Sequence, residues 1–184
     1  GVTFVDGDFL LGGTGTVTHI DEDRVYAFGH PMYNLGPTEF PMTRAHVFTM
    51  LPSLMNSFKI SSLGETIGTM QQDRATAIAG TLGKGPALVP MTITVNSSRD
   101  GDAQPVSRTV KLNLVNDQLF TPLLAYVSMF NTLGSFERQY GAATISVKSR
   151  ARLKKHGDLT LEDLFSTENS ILVDPTLGAV TPIV

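Results

Sequence analysis

Punctuation constrains this chain more than any other feature: seventeen glycines and ten prolines are spread over its 184 residues. Most intervals between them are short, and several are rich in β-branched residues. That pattern predicts short strands joined by turns. The length allows one domain with a sizeable core or two small packed halves. We read residues 1–184 as a single, mainly β domain with one main helix, ending in an extended tail over residues 154–184.

Thr14 to Ile20 reads as a strand, Asp21-Glu22-Asp23 as a polar turn, and Arg24 to Phe28 as the returning strand. Leu88 to Asn96 alternates and is β-branched; Asp100-Gly101 marks a turn; Val106, Arg108, Val110, Leu112 and Leu114 share one face of the return strand. Pro41 to Ser62 suits either a bulged strand or a short helix, with a strand at Ser57 to Ile60. Gly64 to Met70 and Arg74 to Leu82 read as two short strands. Thr121 is a good N-cap and Pro122 suits a first helical position. Leu123, Leu124, Val127, Phe130, Leu133 and Phe136 follow at helical spacing, with Gly141 beyond the end. Ala143 to Leu153 reads as a strand, and "DLTLEDLF" as a short helix capped by Thr160. The last residues, "ILVDPTLGAVTPIV", carry two X-Pro steps and are expected to lie extended.

Hydrophobic residues make up 41% and charged residues 17%, a globular composition. The net charge of −3 leaves no basic footprint, so no nucleic-acid partner is expected. No apolar run reaches the roughly 18 residues a membrane-spanning helix requires. The absence of cysteine excludes disulfides, thiolate zinc sites and cysteine nucleophiles. The chain starts at Gly1 without a signal peptide, as a processed product or a piece of a longer polypeptide would.

The segment "VYAFGHPMYNLGP" places His30 directly behind an apolar strand, between Gly29 and Pro31. An imidazole there suits a general base, a metal ligand or a structural residue. His19, His30, His46 and His156 form no HxH or HxxxH pair, so neither a metal nor any other cofactor is expected. "LLGGTGTVTHI" lacks the GK[ST] ending of a phosphate loop, and its glycines read as strand-edge geometry. Candidate serine nucleophiles are Ser53, Ser57, Ser61, Ser62, Ser97, Ser98 and Ser128. None sits in a GxSxG context; Ser61-Ser62-Leu63-Gly64 comes nearest.

The blocks "GTGTVTHIDEDRVYAFGHP", "GPTEFPM", "LPSLMNSFKI", "GTMQQDRATAIAGTLG" and "TPLL", in this order over about residues 8 to 140, resemble the SpoIVB-type serine peptidase domain. The resemblance implies a chymotrypsin-like β-barrel, here half or an incomplete double barrel, with His30 as the catalytic histidine. It also implies a peptide or protein substrate and an exported, periplasmic or cell-envelope location. The family's "GMSGSP"-like serine motif is absent from this sequence. A serine-bearing half or another protein subunit is therefore the expected partner, and the chain is expected to be inactive alone. Glu39 and Asp73 lie in matched blocks and are candidates for the acid that orients the histidine. Asp73 beside Arg74 also suits a structural ion pair, and Glu39 a strand end. The alternative to a peptidase part is a non-catalytic structural or binding subunit of a larger envelope assembly.

Overall fold

The computed structural model describes residues 1–55, 57–98, 104–137 and 140–168. They form eleven strands and one helix: β1 (Val2–Gly7), β2 (Leu11–Gly13), β3 (Val17–Asp21), β4 (Arg24–Ala27), β5 (Gly36–Leu51), β6 (Phe58–Arg74), β7 (Ala77–Leu82), β8 (Leu88–Ser97), β9 (Val106–Val115), α1 (Phe120–Phe136), β10 (Ala143–Leu153) and β11 (Gly157–Thr167). The main sheet has the order β3-β4-β7-β6-β5-β1-β9-β8, with β2 joined to β1 off this path. Every pairing resolved residue by residue is antiparallel. The architecture is mainly β with one helix, as expected. Among the described residues the sheet path stays open, and no closed barrel is found.

The chain divides into two compact units. The first comprises Gly1–Pro90 with Leu112–Asp117. Its core gathers Val2, Phe4 and Val5 of β1, Val25 and Ala27 of β4, Phe40 and Met42 of β5, Met70, Ile78, and Leu112, Leu114 and Val115 of β9. Phe4 packs edge-on against Phe40 at 5.4 Å between ring centroids. Burial of this size is the main favourable term holding the sheet together.

Two of the expected short strands are parts of one. β6 runs unbroken from Phe58 to Arg74, because its glycines serve cross-strand contact rather than strand ends. A methyl group on Gly68 would lie 2.2 Å from the Thr81 carbonyl of β7. The ambiguous segment from Pro41 resolves as strand: β5 runs to Leu51 with four register shifts against β6. β3 and β4 form the expected hairpin, closed by Glu22-Asp23.

The second unit comprises Met91–Lys111 and Gln118–Val184. Its helix is where the spacing places it, but Thr121 is not its cap. Leu119 already has helical dihedrals, so the helix begins at Phe120, whose buried ring fixes the first turn. Leu124 and Leu133 are buried as expected, whereas Leu123 is half exposed. Leu133 packs with Val95, Phe130, Ala143 and Ile145, and the Arg108 guanidinium lies 5.1 Å from the centre of the Phe136 ring.

"DLTLEDLF" is strand rather than helix. β11 pairs with β10 without a single register shift, from Ala143↔Thr167 to Leu153↔Gly157. Its outer face carries cross-strand ion pairs of Lys148 with Glu162 and of Arg152 with Asp158. Residues 154–167 are thus a turn and a paired strand. The Asp100-Gly101 turn and the segment "ILVDPTLGAVTPIV" lie outside the described residues.

Candidate active site around His30

The end of β4 builds the setting of His30. The Phe28 N–H donates to the Thr16 carbonyl at 2.8 Å, the last rung of the β3–β4 hairpin. Phe28 then adopts φ 76° and Gly29 φ 73°. Glycine takes that conformation freely, but an L-residue with a large side chain does so at a cost of about 1–2 kcal/mol. The Phe28 ring finds its place over Gly15, where a methyl group would stand 2.1 Å from ring atoms. Two consecutive left-handed residues reverse the chain and leave His30 exposed to solvent. Its ring is tilted 47° to that of Phe28, with centroids 5.7 Å apart.

The imidazole has a defined tautomer. Nδ1 lies 2.7 Å from the Pro31 carbonyl oxygen, which can only accept, so Nδ1 carries the proton in this contact. In the neutral ring that leaves the Nε2 lone pair free to take a proton.

Behind His30, the chain is pinned by a buried acid. The Asp73 carboxylate, only 2% exposed, accepts the N–H of Met32 at 2.7 Å, of Tyr33 at 2.8 Å and of Leu35 at 3.3 Å. The ion pair with Arg74 suggested by their adjacency is replaced by these bonds. Arg74 Nε donates instead to the Gln72 side chain at 2.8 Å. Asp73 therefore positions the loop that follows the histidine. Glu39 stands exposed on β5 between buried Thr38 and Phe40.

His30 opens onto a shallow pocket of about 350 Å³, walled by Thr14, Gly15, Thr16, Phe28, Ser57, Phe58 and Lys59. Lys59 Nζ donates to Thr16 Oγ1 at 2.5 Å, and Thr14 and Ser61 share a hydroxyl hydrogen bond of 2.8 Å. These contacts tie β6 to the segment before β3. Neither Asp73 nor Glu39 lines the pocket, and among the described residues no carboxylate in it orients the imidazole. Ser57 is the one candidate serine that does. Its hydroxyl is engaged with Ser53, accepting from its N–H at 3.2 Å and facing its carbonyl at 3.4 Å. Ser61 lies within β6, bonded to Thr14 rather than displayed on a strained turn.

The remaining histidines serve aromatic contacts or a turn. His19 stacks on Tyr26, His46 meets Phe48 edge-on, and the His156 N–H bonds the Leu153 carbonyl. Among the described residues, no group of three His, Asp or Glu is placed to hold a metal. The glycines of "LLGGTGTVTHI" sit at close backbone approaches; a methyl on Gly12 would lie 2.4 Å from the Val2 carbonyl.

Sequence reasoning missed the anchoring role of Asp73 and the left-handed Phe28. The only local signal for either was their nearness to His30-Pro31 and to the turn-rich "MYNLGP". No protein-family pattern, curated protein or solved structure matches the chain.

Proposed function

We propose that this chain is the histidine-bearing part of a SpoIVB-type serine endopeptidase domain, with a chymotrypsin-like half barrel and an extracytoplasmic protein substrate. One observation carries the reading: His30 is held out on a strained Phe28-Gly29 turn with Nδ1–H occupied and Nε2 free. Strain of this kind costs stability and is characteristic of functional sites.

In this reading Nε2 is the general base. It takes the proton of a serine hydroxyl as that oxygen attacks the scissile carbonyl. The imidazolium then returns the proton to the leaving amine. The Pro31 carbonyl holds the tautomer, a task a carboxylate performs in a full triad. Asp73 acts through the 32–35 loop as a positioning residue. Glu39 is exposed on β5, does not line the pocket and takes no part in this reading. The nucleophile and its oxyanion donors come from a serine-bearing polypeptide docked over the open pocket.

The test supplies the 184-residue chain with a serine-bearing half of the same family and follows cleavage of an unfolded protein substrate. His30→Ala, with an unchanged circular dichroism spectrum, should lower turnover by about 10⁴-fold or more. An active variant refutes the assignment. A second reading, a non-catalytic binding subunit, draws on the engaged hydroxyl of Ser57 and the missing serine motif. It predicts no cleavage with any serine-bearing half, and wild-type partner binding by His30→Ala.

A further inference from the structure

Beyond Thr43, β5 and β6 leave the sheet. β1 pairs with β5 only at Val2↔Met42, and β7 pairs with β6 only from Gly68 onward. Residues 44–51 and 58–66 thus form a two-stranded ribbon with no further strand paired to either edge among the described residues. An isolated ribbon of this kind is marginal in water, and its free edges invite pairing. The exposed Arg44–Glu65 ion pair lies at its base, and side-chain bonds from Ser61 in its middle and Lys59 near its tip tie it to Thr14 and Thr16.

Its surface is unusual for one left in water. Leu51 lies opposite Phe58 and Thr49 opposite Ile60, so these four share a face. Phe48, bulged out beside them, packs on His46, whose partner Ser62 belongs to that face too. Leu54 and Met55 crown the tip, fully exposed, while Phe48, Leu51, Phe58 and Ile60 are 45–64% exposed. At roughly 150–200 Å² for each fully exposed large side chain, these six present on the order of 800 Å² of apolar surface. The largest patch on an ordinary monomer is about 300–600 Å².

We infer that the outer face of this ribbon is a homodimer interface, met by the same face of a second copy. The area matches the roughly 800 Å² each partner contributes to a standard interface. Between Ala45 and Leu63 the only formal charge is Lys59, already bonded to Thr16, so two copies meet without like-charge repulsion. A two-fold axis across a flat apolar face makes it self-complementary. An anionic lipid surface is the poorer occupant, because the chain has net charge −3 and the ribbon lacks a basic collar. The interface residues of β6 alternate with Lys59 and Ser61, which bond Thr16 and Thr14, and Phe58 alone among them also borders the His30 pocket. The substitutions at Phe48 and Ile60 lie outside that pocket, so the inference is tested separately from the peptidase reading.

Sedimentation of the 184-residue chain at micromolar concentration should show a dimer that dissociates on dilution. Phe48→Lys with Ile60→Lys should weaken it by at least about 30-fold, the loss of one hot-spot contact. A wild-type monomer at 100 µM, as a working concentration of roughly that order, overturns the proposal. So does a dimer that the lysines leave intact, or a monomer that floats with phosphatidylserine or phosphatidylcholine vesicles. Should the lysine variant misfold, Thr49→Cys decides, because the chain has no other cysteine. A short bis-maleimide should link two copies through it, and a product that stays monomeric overturns the interface.

Discussion

Asp73→Asn isolates what pins the histidine loop. The carboxylate serves three N–H donors with two oxygens: Met32 on Oδ1, Tyr33 and Leu35 on Oδ2. An asparagine keeps one oxygen. Its best placement retains Tyr33 and Leu35 on that oxygen and turns its NH₂ toward the Met32 N–H, donor against donor. Hydrogen bonds to a charged acceptor contribute about 1.5–3 kcal/mol each, and a stranded buried donor costs about 1–3 kcal/mol. With the two remaining bonds weakened but kept, the net loss is about 3 kcal/mol. For a chain of this length each kcal/mol lowers Tm by about 2–4 °C, giving a fall of about 6–12 °C. Urea and thermal unfolding read the change, and amide exchange at Met32, Tyr33 and Leu35 should accelerate. Arg74→Ala is the control. Its guanidinium bonds Gln72 and is exposed, so it should cost less than about 0.5 kcal/mol. Equal losses from the two variants would show that Asp73 is held by an ion pair after all. A harmless Asp73→Asn would refute the anchoring account.

Gly15→Ala places a methyl group 2.1 Å from the Phe28 ring and should destabilise by about 1–3 kcal/mol in urea unfolding, disturbing the His30 resonances in NMR. On the peptidase reading, Ser57→Ala should leave turnover with a serine-bearing half within about tenfold, whereas removing a true nucleophile costs about 10⁶-fold. Ser128 is fully buried in α1, and its hydroxyl has no hydrogen-bond partner among the described residues, so Ser128→Ala should stabilise the fold by about 1 kcal/mol, seen as a higher urea midpoint.

The elements legible in the sequence are those whose signals are local. The β3–β4 and β8–β9 hairpins follow from alternation, and the helix from apolar spacing after a turn. "DLTLEDLF" misleads because Leu161, Leu164 and Phe165 fit a helix while Leu159, Leu161 and Phe165 fit a strand. Its long-range partner β10 decides the matter. His30 is legible as a candidate because Gly29 and Pro31 flank it. Its partners are not: Asp73 meets Met32 across 41 residues of sequence, and its only near neighbour of opposite charge is Arg74, which suggested an ion pair. Phe28 gives no warning either, since phenylalanine is no turn former and its left-handed backbone depends on the space Gly15 leaves.

The ambiguity of Pro41 to Ser62 has a different origin. A strand shows period-2 alternation when one face meets a core and the other meets water. In β5 the alternation is readable only at Thr38, Glu39 and Phe40; Phe40 to Thr43 are all buried, where the strand is covered on both faces. Beyond Thr43, Val47, Phe48, Met50 and Leu51 put large apolar groups on both faces of the ribbon, and the register shifts again between Val47 and Thr49. No internal core imposes a period there. Selection on a free ribbon for solubility would favour polar residues on at least one face. One face carries Ser61 and Lys59, bonded to Thr14 and Thr16, with Val47 and Met50 still 45% and 60% exposed; the other is the face the proposed partner covers. The unreadable stretch of sequence and the proposed dimer interface are thus the same physical fact, and the lysine substitutions at Phe48 and Ile60 test both.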